Sequence, residues 1–424
     1  MAKDDWKVRP LAGDFVELYR SPDPAHVHCG CAGLASCPGG RLIATYSVRT
    51  RDAKKLAEPK FLNGTSYTQG RLCTSDDHGK TWTFRVAYPF TFATTFLSGE
   101  TLWLLGAGPD LMIMRSADWG ETWSAPTRLT EGQKWHQNVA HVIHANGAVY
   151  LVMERDTGGA AEGWPVSDLA PVLMRAREGD DLTRRDCWTF ASELVFHEAV
   201  SDRELDWFGV PFYPVFYPTA SNVGGGRSCS PIGWLETNLV RFVDPNHVWH
   251  DPKGRTFHLW MRAHTGGTGF AAIAKVVEND DDSMTTMLET VPSGKKAVYV
   301  PCPGGQMRFS IVYDGPTGLY WLLSTQATDS MTRPERLPRD RYSLPNNERR
   351  RLQLHFSRNC IDWCFAGLVA VGPVEKASRH YASMVVDGDD LHILSRSGDE
   401  QAKNAHDGDI ITFHTVRYFR DLAY

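Results

Sequence analysis

Short runs of β-branched, aromatic and aliphatic residues recur along the whole chain, and turn-forming residues separate them. Most runs follow turns rich in Gly, Pro, Asn or Asp, such as PGG, ANG and DGDD. Segments with the 3.6-residue period of an amphipathic helix are scarce. The pattern therefore predicts an all-β protein built from hairpins. The clearest runs are Arg41–Val48, Thr101–Gly108, Ala148–Arg155, Thr256–Ala263, Gly318–Thr325 and Asp390–Ser397.

One polar octapeptide occurs twice, as SDDHGKTW at Ser75–Trp82 and as SADWGETW at Ser116–Trp123, with starts 41 residues apart. A degraded copy, SRNCIDW, lies at Ser357–Trp363. The Ser and Asp side chains can accept from backbone N–H groups in a hairpin turn, Gly supplies a positive φ, and Trp packs between sheets. A spacing of about 40 residues matches one four-stranded propeller blade. The repeats therefore predict a propeller, and they indicate folding rather than chemistry.

The octapeptide resembles the Asp box of sialidases and related β-propellers. The resemblance implies a single propeller domain over residues 1–424, with six blades of about 65 residues each, loops included, or alternatively seven. Long loop insertions are expected around residues 156–232 and 326–350. Tyr213 and Tyr217, in the first insertion, are candidates for stacking on a sugar. Ligands of such folds bind at one end of the central channel, although the fold alone does not fix the chemistry.

The closing part of the chain is most similar to the sialidase family. RLQLHFSRNCIDW and SRHYASMVVDGDDLHILSRSGD resemble the family's arginine strand, Asp box and tyrosine strand, which implies that Tyr381 is the catalytic nucleophile. The middle part, GWLETNLVRF and FHLWMRAH, implies Glu236 as the residue that activates the tyrosine. Arg262 would then be one carboxylate-binding arginine. Arg308 and Arg351 are the candidates for a further substrate-binding arginine.

The early part of the chain departs from the family. Where the family has its first arginine, this chain has His28 or a cysteine. Asp52, 24 residues beyond His28, suits the acid/base aspartate, and Arg49 is a candidate substrate-binding residue. Because arginines hold a sugar carboxylate with bidentate bonds, the missing arginine weakens the expectation of sialic acid itself. The expected substrate is a terminal acidic or uncommon sugar.

A tyrosine nucleophile suits such a substrate for an electrostatic reason. Sialic acid carries a carboxylate on its anomeric carbon, which would repel an anionic Asp or Glu nucleophile. A neutral phenol that passes its proton to a glutamate avoids this repulsion. The resemblance therefore implies an exo-glycosidase that retains the anomeric configuration.

Two other hypotheses stay open. Propellers related to sialidases include polysaccharide lyases and rhamnosidases, in which a histidine, often with a tyrosine, transfers the proton. A lyase needs a base, an acid and a group that neutralises the uronate carboxylate. His136 or His28, with Tyr381 and an arginine, could supply all three, and Glu154 is a candidate substrate-binding residue. The third hypothesis is a glycan-binding propeller without catalysis.

The resemblance implies a glycan or polysaccharide substrate, and the composition of the chain argues against two other partners. The net charge is -5 with interspersed signs, which argues against nucleic acid, and no apolar run approaches the roughly 18 residues of a membrane span.

The start lacks a signal sequence, so a cytoplasmic location is expected, or secretion if a signal has been removed. No cofactor or metal is predicted, although Cys29, Cys31 and Cys37 leave a metal open because their spacing is uncommon for zinc. The oligomeric state stays open.

Overall fold

The computed structural model describes residues 9–139, 141–201 and 215–424. Within these ranges the strands form six antiparallel sheets of four or five strands, and two further strand pairs form separate hairpins. Each of the six sheets uses strands that are close in sequence, except that the last one also takes the N-terminal strand. This is the six-bladed β-propeller that the sequence predicted, and the alternative of seven blades is wrong.

The N-terminal strand is β1 (Val16–Arg20), and the first three blades follow it. The first blade contains β2 (His28–Ser36), β3 (Leu42–Thr50), β4 (Phe61–Asn63), β5 (Ser66–Ser75) and β6 (Thr83–Tyr88). The second contains β7 (Thr91–Ser98), β8 (Thr101–Ala107), β9 (Leu111–Ser116) and β10 (Thr127–Arg128). The third contains β11 (Trp135–His136), β12 (Ile143–Ala145), β13 (Ala148–Asp156), β14 (Leu169–Arg177) and β15 (Trp188–Phe190).

A hairpin of β16 (Ser221–Gly224) and β17 (Arg227–Cys229) precedes the last three blades. The fourth blade and its attached hairpin contain β18 (Gly233–Val240), β19 (Thr256–His264), β20 (Phe270–Glu278), β21 (Met284–Met287), β22 (Glu289–Thr290), β23 (Lys296–Ala297) and β24 (Tyr299–Pro301). The fifth contains β25 (Ser310–Asp314), β26 (Leu319–Thr325), β27 (Arg351–Ser357) and β28 (Cys364–Val371). The sixth contains β29 (Arg379–Asp387), β30 (Asp390–Ser397) and β31 (Ile410–Val416).

The ring closes because the N-terminal strand joins the last blade. β1 pairs with β31 in an antiparallel register that runs from Val16 opposite Phe413 to Arg20 opposite Ile410. The inner strands of the last and first blades are also joined, since Ser383 Oγ donates to the carbonyl of Ala32 at 2.7 Å. Closure therefore ties the two ends of the chain together, and β1 covers the edge of β31 that would otherwise be free.

The core lies between neighbouring blades, and strand alternation builds it. Successive side chains of a strand point to opposite faces of its sheet. In β13, Leu151 packs toward the second blade, whereas Tyr150 packs toward the fourth. In β19, Leu259 packs toward the third blade, whereas Trp260 packs toward the fifth. Both faces of a blade are buried in this way, so its strands read as nearly continuous apolar runs.

The octapeptides form the turns between the last two strands of their blades, as their folding role predicted. In the β5–β6 turn, Ser75 Oγ accepts from the N–H of Gly79 at 2.9 Å, and Asp77 Oδ1 accepts from the N–H of Thr81 at 2.9 Å. Trp82 Nε1 donates to the carbonyl of Gly79, whose φ is 81°. The β9–β10 turn repeats these bonds through Ser116, Asp118, Gly120, Thr122 and Trp123.

The segments predicted as loop insertions differ from each other. The range 156–232 is not loop throughout, because it contains β14 and β15 of the third blade. The range 326–350, which the structure describes completely, contains two short 3-10 helices and no strand. Tyr217 stacks on His197 with ring centroids 4.0 Å apart, and Tyr213 lies outside the described residues.

Helices are few and short in the described part of the chain. None of them is long and apolar enough to cross a membrane. They are α1 (Phe196–Ala199) and the 3-10 helices Ala53–Lys55, Val166–Asp168, Arg185–Cys187, Pro334–Arg336, Pro345–Asn347 and Phe419–Leu422.

Candidate active site

Bulges interrupt strands of the fourth and sixth blades at two of the candidate site residues. In β18 the register shifts between Leu235 and Asn238, and in β29 it shifts between His380 and Ser383. Inside these two bulges, Glu236 has a φ of 57° and Tyr381 a φ of 49°. A bulge redirects a side chain, and a left-handed backbone costs a non-glycine residue on the order of 1–3 kcal/mol. The chain is therefore strained at the two positions that the resemblance identified as nucleophile and base.

Arg262 joins these two residues. Its Nη1 atom donates to Tyr381 Oη at 2.8 Å and to Glu236 Oε2 at 3.2 Å, and its Nε atom donates to the carbonyl of Gln306 at 2.8 Å. All three side chains are buried. Tyr381 Oη and Glu236 Oε2 therefore both bond to Arg262 Nη1. The distance between these two oxygens cannot exceed the sum of their distances to that nitrogen.

Three further arginines lie around Tyr381. The guanidinium carbons of Arg349 and Arg396 each lie 5.4 Å from the centroid of the Tyr381 ring. Arg308 Nη2 donates to Ser383 Oγ at 2.8 Å, two residues along β29 from Tyr381. With Arg262 they form the arginine cluster, a set of four buried guanidinium groups.

Each member of the arginine cluster has a buried nitrogen that lacks a hydrogen-bond partner among the described residues. These atoms are Arg262 Nη2, Arg308 Nη1, Arg349 Nε and Arg396 Nε. Burial lowers the pKa of Arg308 and of Arg396 to about 10, so both remain cationic at neutral pH. Unpaired buried donors and charges are costly. The cluster is therefore suited to binding an anion.

The phenol of Tyr381 is held in its neutral form. Burial raises its pKa, and the carboxylate of Glu236 acts in the same direction. The guanidinium groups of Arg262, Arg349 and Arg396 oppose this effect without overcoming it. The resting residue is therefore an uncharged phenol that needs a base before it can act as a nucleophile.

A histidine–glutamate pair lies beside this group. His136 on β11 is opposite Glu154 on β13, and the distance from His136 Nδ1 to Glu154 Oε2 is 2.7 Å. Although burial opposes the charged imidazole, Glu154 raises the pKa of His136 above its ordinary value. Glu236 and Arg262 also influence this pKa, so His136 lies within electrostatic range of both.

Both oxygens of Glu154 are occupied by the protein. Its Oε1 atom accepts from the N–H and from the hydroxyl of Thr237, each at 2.8 Å, and its Oε2 atom faces His136. The side chain is fully buried. Glu154 therefore orients His136 and anchors the backbone next to Glu236, and its role in binding substrate stays a prediction.

A cleft of about 580 Å³ adjoins the arginine cluster and collects His28, Arg49 and Asp52. His406 links the cleft to the cluster, since its carbonyl accepts from Arg396 Nη2. Tyr342 also lines the cleft, and the guanidinium carbon of Arg349 lies 5.5 Å from its ring centroid. The three early candidates thus share one cleft, next to the arginine cluster.

Within this cleft the three residues have different surroundings. Arg49 Nη2 pairs with Asp407 Oδ1 at 2.6 Å, so its charge is already balanced. Burial lowers the pKa of His28, which favours its neutral form. Asp52 is exposed, and its Oδ1 atom accepts from the N–H of Lys54 at 2.9 Å at the start of a 3-10 helix.

Of the arginines in the ERRR run, the structure brings Arg349 rather than Arg351 next to Tyr381. Arg351 pairs with Glu348 at 2.7 Å and contacts Thr328, whereas Arg349 lies over the Tyr381 ring. Sequence reasoning considered Arg349–Arg351 for an acidic glycan but selected Arg351 from the run, and it missed Arg396. The sequence contains one indication of Arg396. The β29–β30 hairpin pairs Arg396 with His380, the residue next to Tyr381, so Arg396 can be expected near the tyrosine.

Comparison with known proteins gives the fold. No family model matches the chain, and no curated protein matches it in sequence. Among solved structures, the chain is similar to a Hadza microbial sialidase, with a TM-score of 0.54 and 14% identity over 95% of this chain and 68% of that one. It is also similar to a Penicillium chrysogenum α-L-arabinanase complexed with arabinobiose, with a TM-score of 0.50 and 12% identity over 96% and 99%.

A third similar structure is the Trypanosoma rangeli sialidase in complex with sialic acid. Its TM-score is 0.52 at 13% identity, and the match covers 97% of this chain but 59% of the sialidase. At these identities the likeness establishes the fold. The chain therefore has a sialidase-like six-bladed β-propeller, an architecture that glycoside hydrolases use.

Proposed function

We propose that this protein is a retaining exo-glycosidase that removes a terminal sugar bearing a carboxylate, with Tyr381 as nucleophile and Glu236 as its base. The observation that carries the proposal is the shared Arg262 nitrogen, which bonds to the Tyr381 hydroxyl and to the Glu236 carboxylate. The sialidase-like fold agrees with this chemistry but does not establish it.

The arginine cluster supports an anionic sugar. Four buried guanidinium groups surround Tyr381, and Glu236 is the carboxylate that bonds directly to one of them. Their unpartnered nitrogens are donors of the kind that bind carboxylates with charge-assisted hydrogen bonds. A neutral sugar would leave these donors unpaired, so a carboxylated sugar is the better fit.

The proposed reaction has two displacement steps. In the first, Tyr381 Oη attacks the anomeric carbon while its proton passes to Glu236, and the glycosidic bond breaks as the leaving oxygen takes a proton from an acid. In the second, water attacks the tyrosyl glycoside and gives its proton to the conjugate base of that acid. Tyr381 leaves and recovers its proton from Glu236. Two inversions give net retention.

His136 is the proposed acid. It is held by Glu154, which favours its protonated form, and it lies within electrostatic range of Glu236 and Arg262. Asp52, which the family resemblance favours, lies in the adjoining cleft with one oxygen bonded to the backbone of Lys54. The pH dependence of the reaction distinguishes these two candidates.

Glu154→Gln should move the alkaline limb of kcat/KM to lower pH. The carboxylate raises the pKa of His136, so its loss lowers that pKa, and the imidazolium acid is lost at a lower pH. A shift of about one pH unit corresponds to the loss of one charged hydrogen bond. The matched control is Glu178→Gln, which removes the carboxylate beside the exposed imidazole of His144. An alkaline limb that stays in place would favour Asp52 as the acid.

Aryl glycosides test the substrate class. We expect phenol release from a sugar whose carboxylate lies on the anomeric carbon and much less from its neutral counterpart. Arg349→Leu should lower kcat/KM for the carboxylated substrate by roughly 10- to 100-fold, because one charged donor is lost. Arg350→Leu is the control, since Arg350 donates to the backbone carbonyls of Gly372 and Pro373.

The products decide between the hypotheses. Proton NMR should show that the released sugar first appears with the anomeric configuration of the substrate. An ultraviolet-absorbing unsaturated uronate would instead indicate a lyase. Binding of glycans without turnover of any substrate would indicate a non-catalytic propeller.

A further inference from the structure

A second cluster of chemically active side chains lies where the first and last blades meet. His78 belongs to the β5–β6 turn, Asp387 ends β29, and His392 lies on β30. His78 Nδ1 is 2.9 Å from Asp387 Oδ2, and His392 Nε2 is 3.3 Å from the same oxygen. The three ligand atoms lie within 4.8 Å of one another. One carboxylate oxygen therefore faces two imidazole nitrogens.

This cluster lies at the other end of the propeller from the candidate active site. Tyr381 is near the start of β29, whereas Asp387 is its last residue, about 20 Å further on at 3.3 Å per residue. β2 and β5 are each antiparallel to β3, so they run parallel to each other. The turn after β5, which contains His78, therefore lies at the opposite end of the blade from the start of β2. The cluster therefore has no part in the proposed reaction.

We propose that His78, Asp387 and His392 bind a divalent transition-metal cation such as Zn²⁺, with water in the remaining position. Two imidazole nitrogens and one carboxylate oxygen are a common ligand set for zinc. Bonds of about 2.0–2.1 Å in a tetrahedral site place the ligand atoms about 3.3 Å apart, close to the spacings seen here. This proposal differs from the sequence analysis, which predicted no metal.

The surroundings of the two histidines suit metal binding. His392 is buried, packs on the Phe413 ring at 5.2 Å, and has its Nδ1 atom 3.1 Å from Thr415 Oγ1. That contact fixes the ring with its Nε2 atom toward Asp387, as outer-shell bonds do for metal ligands. The His78 side chain is 65% exposed, so a cation and its water can enter from solvent.

The first octapeptide differs from its relatives at this position. His78, Trp119 and Cys360 occupy equivalent places in the three copies, with φ values of 57°, 59° and 58°. The left-handed turn is thus common to all three, and the histidine is specific to the first copy. A cation here would join the first blade to the sixth, and it would stabilise the closed ring because it binds the folded state.

Thermal unfolding in metal-free buffer, with ZnCl₂ added stepwise, tests the site. At about a hundredfold excess over Kd, the wild-type midpoint should rise by roughly 2–4 °C. Calorimetry should give one bound Zn²⁺ per chain. His78→Ala should abolish both results, and it should fold because the side chain is exposed. His144→Ala is the matched control, since it removes an exposed imidazole beside the single carboxylate of Glu178 and should leave the Zn²⁺ response intact.

Cobalt distinguishes this site from the nine cysteines of the chain. Bound Co²⁺ should give d–d bands without thiolate-to-metal charge transfer, and His392→Gln should remove them. Thiolate charge transfer, an unchanged Zn²⁺ response in His78→Ala, or no binding by the wild type would each overturn the proposal. None of these measurements uses a glycoside, so the proposed enzymatic function can fail or hold independently.

Discussion

Tyr381→Phe is expected to lower kcat by at least about a thousandfold, because the variant lacks the oxygen that would form the covalent intermediate. The Arg262 side chain loses one acceptor but keeps Glu236 and the Gln306 carbonyl, so the pocket should persist. Binding of a carboxylated sugar should therefore survive while turnover stops. Burst kinetics of phenol release, together with calorimetric binding of the product sugar, separate these two effects.

The chain supplies a matched control for this variant. Tyr150 is another buried tyrosine grouped with a glutamate and an arginine. Its hydroxyl lies 2.8 Å from Glu278 Oε1, and Arg175 Nη1 lies 2.8 Å from the same oxygen. It packs between the third and fourth blades. Tyr150→Phe should cost stability but leave kcat near the wild-type value. An unchanged rate in Tyr381→Phe would remove the basis for both the hydrolase and the lyase hypotheses.

The fold was predictable because its signal is local and repeated. The Ser, Asp, Gly and Trp of each octapeptide bond to one another within eight residues, so turn chemistry can be read directly from the sequence. Alternating burial toward two neighbouring blades explains the apolar runs that predicted strands. The sequence predicts a loop over 156–232 because stretches rich in Gly and Pro surround the segments that form β14 and β15.

The candidate site was only partly predictable because its parts meet through ring closure. The sequence predicts four of its residues because they lie in or beside strands with a family-like pattern, namely Tyr381, Glu236, Arg262 and Arg308. Arg349 follows an irregular segment, and its position over Tyr381 depends on how that segment folds back. The separation between His78 and Asp387 is 309 residues. Such pairs have no local sequence signal.

The second large effect on kcat is expected from substitution of Glu236. Glu236→Gln should lower kcat by about 10²- to 10⁴-fold, because the amide cannot take the phenolic proton. The carboxylate raises the pKa of Tyr381, so its removal should lower that pKa. Part of the lost rate should therefore return as the pH rises and solvent takes the proton instead. The measurement is the pH profile of kcat for the variant.

The double variant shows whether Tyr381 and Glu236 act as a unit. If Glu236 serves only to accept the proton of Tyr381, then Glu236→Gln should cost nothing further in a Tyr381→Phe background. Independent roles would instead give multiplied losses, which would contradict the proposed pairing. Glu278→Gln is the control, since Glu278 is also grouped with a tyrosine and an arginine, Tyr150 and Arg175, but lies outside the arginine cluster. Its effect should appear in the unfolding midpoint and not in kcat, because Glu278 lies away from the arginine cluster that is proposed to bind the substrate.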